Sequence, residues 1–132
     1  MSDDFHWCLV AVYGAAHPKF KEQFLMELVQ ACRKVSLPLL VGGDFNIIRN
    51  PSEKNNDRYD DRWPFLFNAI IDSLNLREIE MSGRKFTWAN SKRIPTYEKL
   101  DRVLASTEWE QRFSLVTVDA LNRSHSATSL HR

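Results

Sequence analysis

Two cysteines, four glycines and five prolines are all that the 132 residues contain of the types that staple or break a chain. That scarcity excludes a disulfide scaffold, a collagenous repeat and a low-complexity linker. Cys8 and Cys32 each fall in an apolar stretch without nearby Cys or His partners, so they are expected as reduced, packed thiols. The sequence also lacks a charge of one sign. Eighteen basic residues against 17 acidic ones give a net charge of +1, so no overall field draws the chain to nucleic acid or to an anionic membrane. Long apolar runs are missing too. The longest, Trp7 to Ala16, is about half of what a bilayer span needs, and the acidic start Met1-Ser2-Asp3-Asp4 is unlike a signal peptide. The expectation is an intracellular protein, nuclear or cytoplasmic, with no membrane partner. What is abundant is core material. Hydrophobic residues make up 43% and aromatics 11%, enough to bury the interior of one compact domain.

Trp7 to Tyr13 is continuously apolar and stops at Gly14, which fits a strand buried on both faces. After His17-Pro18, the positions Phe20, Phe24, Leu25, Leu28, Val29 and Cys32 recur at helical spacing, with Lys19, Lys21, Glu22, Glu27 and Arg33 opposite. This predicts an amphipathic helix over 20–35. Pro38 ends the connection, and Leu39-Leu40-Val41 forms a second strand running into Gly42-Gly43, which makes a strand-helix-strand unit with parallel strands. Arg49 to Arg62 is polar, holds Pro51 and lacks a hydrophobic period, so a long surface loop is expected. Pro64 opens a second helix with Phe67, Ile70, Ile71 and Leu74 on one side. Lys85 to Trp88, Lys99 to Ala105 and Leu115 to Val118 have strand character, and Thr107 is placed to cap a short helix through Phe113. The predicted fold class is α/β, a mixed sheet holding the strands at Leu9, Leu39, Phe86 and Leu100, with helices on one face.

Two places carry chemistry. Gly42-Gly43-Asp44-Phe45-Asn46 follows a strand, so Asp44 and Asn46 can face the crevice at its carboxyl end, where α/β sheets bind ligands; an Asp there can equally just cap the turn. In Leu100-Asp101-Arg102-Val103 a charged pair sits inside an apolar strand. Burying Asp101 is costly without good partners, so it is expected either to pair with Arg102 or Lys99 or to orient a catalytic group.

Taken together, Val12-Tyr13-Gly14, Leu40 to Arg49, Glu53-Lys54-Asn55, Gly83 to Trp88 and Glu98 to Leu104 resemble, in order and spacing, the endonuclease domain of plant LINE retrotransposons. That domain belongs to the endonuclease/exonuclease/phosphatase superfamily of apurinic endonucleases and related nucleases. The resemblance runs from Trp7 to about Ser126. It implies a four-layer sandwich, of which these residues form the C-terminal half, and magnesium-dependent cleavage of DNA. By the same resemblance Asp44 positions or deprotonates the attacking water, Asn46 helps hold the scissile phosphate, and Asp101 orients a histidine of a Ser-Asp-His-x-Pro motif. The chain departs from that pattern. The family's early Asn and metal-anchoring Glu have no counterpart, and Ala127 and Thr128 stand where the motif has Asp and His. One codon reading of Ser126 to Arg132 is TCA GCC ACC TCC CTA CAT CGG. A single added A gives TCA GAC CAC CTC CCT ACA TCG, which reads Ser-Asp-His-Leu-Pro-Thr-Ser, so a one-base deletion at Ala127 is expected to have shifted the frame.

The expected function is therefore that of a truncated, retrotransposon-derived fragment over 1–132 with weak or no magnesium binding and no catalysis of its own. Such a fragment would act through a protein partner or self-association across an exposed apolar sheet face. The alternative is a magnesium-dependent phosphodiesterase cleaving DNA. The loop from Glu53 to Arg58 with Lys92-Arg93 could touch nucleic acid, although mixed charges more often mean a solvated surface, and Trp88 could stack on a base, although an aromatic in a strand is more often core.

Overall fold

The structure is a computed structural model and describes residues 5–55, 60–82, 88–89, 97–113 and 118–119. Strand β1 (Cys8–Tyr13) leads through a short 3-10 turn at Pro18–Phe20 into helix α1 (Lys21–Arg33) and strand β2 (Leu39–Asp44). The Lys-Glu-Gln-Phe-Leu-Met opening of α1 is made of good helix formers, and the turn before it is closed by the Lys19 amide donating to His17 Nδ1 at 3.0 Å. Helix α2 (Arg62–Ser73) and strand β3 (Leu76–Ile79) follow. Then come the two-residue strands β4 (Met81–Ser82), β5 (Trp88–Ala89) and β6 (Tyr97–Glu98), strand β7 (Asp101–Ser106), helix α3 (Thr107–Arg112) and β8 (Val118–Asp119).

The four-stranded sheet runs β1-β2-β7-β3. β1 and β2 are parallel, joined by the crossover through α1, and β7 is antiparallel to both of its neighbours. The mixed α/β architecture is the one expected, with two changes in strand membership. The edge beside β7 is β3, which the sequence pattern does not announce, while Trp88–Ala89 pairs with Tyr97–Glu98 in a separate ladder. Residues 85–87 and 115–117 of the predicted strands lie outside the described residues.

Because successive side chains alternate across a strand, each face has its own cluster. On one face Val41, Leu104 and Leu76 meet Leu25, Leu28 and Cys32 of α1 and Trp63, Phe67 and Ile71 of α2. Each such fully buried side chain stabilises the fold by roughly 1.5–3 kcal/mol. On the other face Leu40, Val103 and Ala105 pack with Trp109 of α3, joined by Trp7, Leu9, Ile79 and Phe113. The apolar face expected to lie bare is thus closed at this end. Trp7, Trp109 and Phe113 contact one another edge-on or tilted, with centroids 4.8–5.9 Å apart. Ala11 and Tyr13, further along β1, stay exposed. The cap of α3 is Ser106, whose Oγ accepts the Trp109 amide, rather than Thr107.

Candidate functional site

Strand register brings the sequence-selected residues to one end of the sheet. Asp44 is paired with Tyr13 on β1 and with Asp101 on β7, so the two aspartates stand directly opposite each other. Two backbone bonds beyond the strand ends fix this arrangement: the Gly14 amide donates to Asp44 O at 2.6 Å, and the Phe45 amide to Leu100 O at 2.9 Å. Phe45 is fully buried against Phe67, with ring centroids 5.1 Å apart, and so anchors the turn from below. Both glycines of the approach are required. A Cβ on Gly14 would lie 2.3 Å from Phe45 O, and one on Gly43, at φ +138°, would lie 2.1 Å from Val12 O.

Asn46 turns the chain out of the strand with φ 55°, a left-handed conformation that Asn tolerates better than most residues. Its amide donates to Asp44 Oδ1 and its Nδ2 to Gly14 O, both at 2.8 Å. Burial pushes the Asp44 carboxyl above the ordinary aspartate range, against the opposing pull of the Asn46 amide and the Lys21 charge. Lys21 belongs to this site, contrary to its expected place on the solvent face of α1. It is buried, and its Nζ donates to Asn46 O.

The loop expected at 49–62 is surface only in part. Pro51–Glu53 forms a 3-10 turn that buries Glu53. Glu53 accepts from Arg102 Nη2 at 2.7 Å and from the Arg49 amide at 2.7 Å, and Arg102 Nη1 also donates to Glu78 at 2.8 Å. Arg49 and Lys99 complete the cluster on Glu78 at 2.9 and 2.8 Å. Burial raises the Glu78 carboxyl, but the Arg102 charge and the hydrogen bonds from Lys99, Arg49 and Arg102 outweigh it and leave it at about 2. The charged pair flagged on β7 is therefore split. Adjacent strand residues face opposite sides, so Arg102 points to the helices and to Glu53 and Glu78, Lys99 joins Glu78, and Asp101 faces the other way. Arg102 and Lys99 are thereby engaged with Glu53 and Glu78.

A magnesium ion takes near-octahedral oxygen coordination. Asp44 and Asp101 contribute two carboxylates, one oxygen of Asp44 already accepts the Asn46 amide, and no group of three or more His, Cys, Asp and Glu side chains comes together among the described residues. The described donors do not by themselves fit the ion. Ala127 and Thr128, the Lys92-Arg93 pair and Asn56 to Arg58 lie outside the described residues. Lys54, at the start of that loop, pairs with Glu98 at 3.5 Å. No described helix is long and apolar enough to cross a membrane.

Glu53, Glu78, Arg49 and Lys21 are the residues that sequence reasoning assigned to solvent or passed over. The signal that could have found the two glutamates was Arg102, a cation in an apolar strand that must have buried anionic partners. A model of the endonuclease/exonuclease/phosphatase family matches residues 3–129. No curated protein matches the chain.

Proposed function

The chain belongs to the endonuclease/exonuclease/phosphatase family, and from that premise we propose that it is a plant LINE-derived piece of the domain's C-terminal half. In this reading it retains the phosphate-facing end of the family's site without turning over a phosphodiester on its own. The observation that carries the reading is the register that sets Asp44 against Asp101, with Asn46 fastened beside them. Oriented carboxylate and amide groups of this kind position a water and a phosphate. Ala127 and Thr128 occupy the family's Asp and His positions and supply neither carboxylate nor imidazole, which leaves the proton and the developing charge without their acceptors. The frame-shifted tail accounts for that loss, and the coding DNA tests it: the idea goes if no single-base change restores Ser-Asp-His-x-Pro.

A non-catalytic role then falls to contact with another protein or a second copy through the sheet face that carries exposed Ala11 and Tyr13. The second reading is a magnesium-dependent DNA phosphodiesterase, favoured by the same opposed aspartates. Plasmid nicking with magnesium separates the two. Supercoiled DNA stays intact with the wild-type chain and with Asp44→Ala under the first reading, whereas nicking abolished by Asp44→Ala establishes the second.

A further inference from the structure

Lys21 occupies a position that disfavours a cation twice. It is the first residue of α1, where the helix dipole presents its positive end, and it is 9% exposed, so its ammonium is largely removed from water. Desolvation accordingly lowers its pKa, with the Glu98 and Asp44 carboxylates opposing and Lys54 adding to the fall. A neutral helix former would serve the core better here. What the ammonium does make is a hydrogen bond to the carbonyl of Asn46, the left-handed residue whose amide and side chain bind Asp44 and Gly14.

We propose that Lys21 is a positioning residue of the Asp44–Asn46 end of the sheet: its ammonium clamps the Asn46 turn and holds the Asp44 carboxylate charged and oriented. Asn46 leaves the strand with its amide directed at Asp44 and its carbonyl at Lys21, so a displacement of the carbonyl tilts the peptide unit and carries the Asn46 side chain with it. α1 thereby becomes part of the site that the strands assemble. The groups facing Asp44 are then Lys21, the Asn46 amide and its cross-strand partner Asp101. Those facing Lys21 are Asp44, Glu98 and Lys54.

This inference rests on reading that end of the sheet as functional, yet its test needs no turnover. Carbon-detected NMR titration of Asp44 and hydrogen exchange of the Asn46 amide are measured in the full chain for wild type, Lys21→Arg, Lys21→Gln and Lys21→Met. Lys21→Met should raise the Asp44 pKa and speed Asn46 exchange by about tenfold or more, the loss of one charge-assisted hydrogen bond. Lys21→Gln, a donor without charge, should raise the Asp44 pKa with a smaller change in exchange, and Lys21→Arg should restore both. A merely structural lysine would change the melting temperature and leave the Asp44 titration alone. The inference is overturned if Asp44 titrates unchanged in a folded Met or Gln variant, or if neither variant folds, since Lys21 then serves stability only. Plasmid nicking by the wild type, which would defeat the non-catalytic reading, leaves this result standing.

Discussion

Arg102→Met removes the guanidinium at the centre of the charged cluster while keeping an apolar stem in β7. The Arg102 side chain is fully buried and holds Glu53 at 2.7 Å and Glu78 at 2.8 Å, with further donation to the Lys99 carbonyl at 3.0 Å. Deleting one partner of a buried ion pair typically costs about 3–5 kcal/mol, because the other charge stays behind without compensation. Glu78 keeps Arg49 and Lys99, whereas Glu53 keeps the Arg49 amide but loses its guanidinium. The loss should therefore sit at the lower end, about 3 kcal/mol, a large share of the roughly 5–15 kcal/mol that holds a domain together. Urea unfolding followed by the fluorescence of the buried Trp63 and Trp109 measures it. The acid limb adds an independent check. Glu78 lies at about 2 against an ordinary 4.5, so its contribution is present above pH 4.5 and disappears as pH falls through the folded value. That shift corresponds to about 3 kcal/mol of acid-sensitive stability, part of which Arg102→Met should abolish. Adding Glu53→Gln to the variant removes the stranded charge and should recover about 1–2 kcal/mol. A single variant within about 1 kcal/mol of wild type, with an unchanged acid slope, would refute the buried-pair argument.

Gly43→Ala should destabilise the chain by about 1–3 kcal/mol or prevent folding, since the residue holds φ +138° and a Cβ would meet the β1 backbone; thermal unfolding checks it. Ser106→Ala removes an oxygen that accepts the Leu39 amide at 2.9 Å and the Trp109 amide at 3.4 Å, and should cost about 1–2 kcal/mol in urea. If Ala11 and Tyr13 mark a contact face, Tyr13→Glu should lower the scattering mass of the wild-type chain at high concentration, and a wild type that is monomeric throughout would remove self-association as the route.

The long periodic and apolar segments were legible because their own pattern dictates them. α1 and α2 expose their helical periods, and β1, β2 and β7 carry apolar runs, so their existence, and the parallel pairing of β1 with β2, follow from the sequence alone. β3 was hidden. Leu76-Arg77-Glu78-Ile79 places two charges in four residues, a surface-like composition, and only the partners brought by distant segments let Glu78 face inward. Lys21 misled for the same reason. On an isolated helix a lysine opposite the apolar stripe points to water, but the Asn46 turn, 25 residues on, comes to meet it. Asp44, Asn46 and Asp101 could be named from strand-end chemistry and family resemblance, and their adjacency follows from antiparallel register.

The two charged regions of this chain work in opposite senses. Around Arg102, opposite charges are interleaved and, apart from the buried Arg102 Nε, the guanidinium nitrogens find partners, which suits a fastening that ties the 49–54 segment to β7 and β3. At the sheet end the local rules are broken repeatedly. Like charges stand directly across a strand pair, where each raises the cost of the other. A lysine is buried at a helix start, a non-glycine residue takes a left-handed φ, and burial lifts an aspartate from its ordinary range. Fold stability alone offers no reason to gather four such costs at one end of the sheet. Departures from local consistency that are concentrated in one place, and compensated elsewhere, are what a site selected for chemistry looks like. The Arg102 cluster shows how this geometry is held, because it fastens the segment beyond Asn46 to β7 and β3.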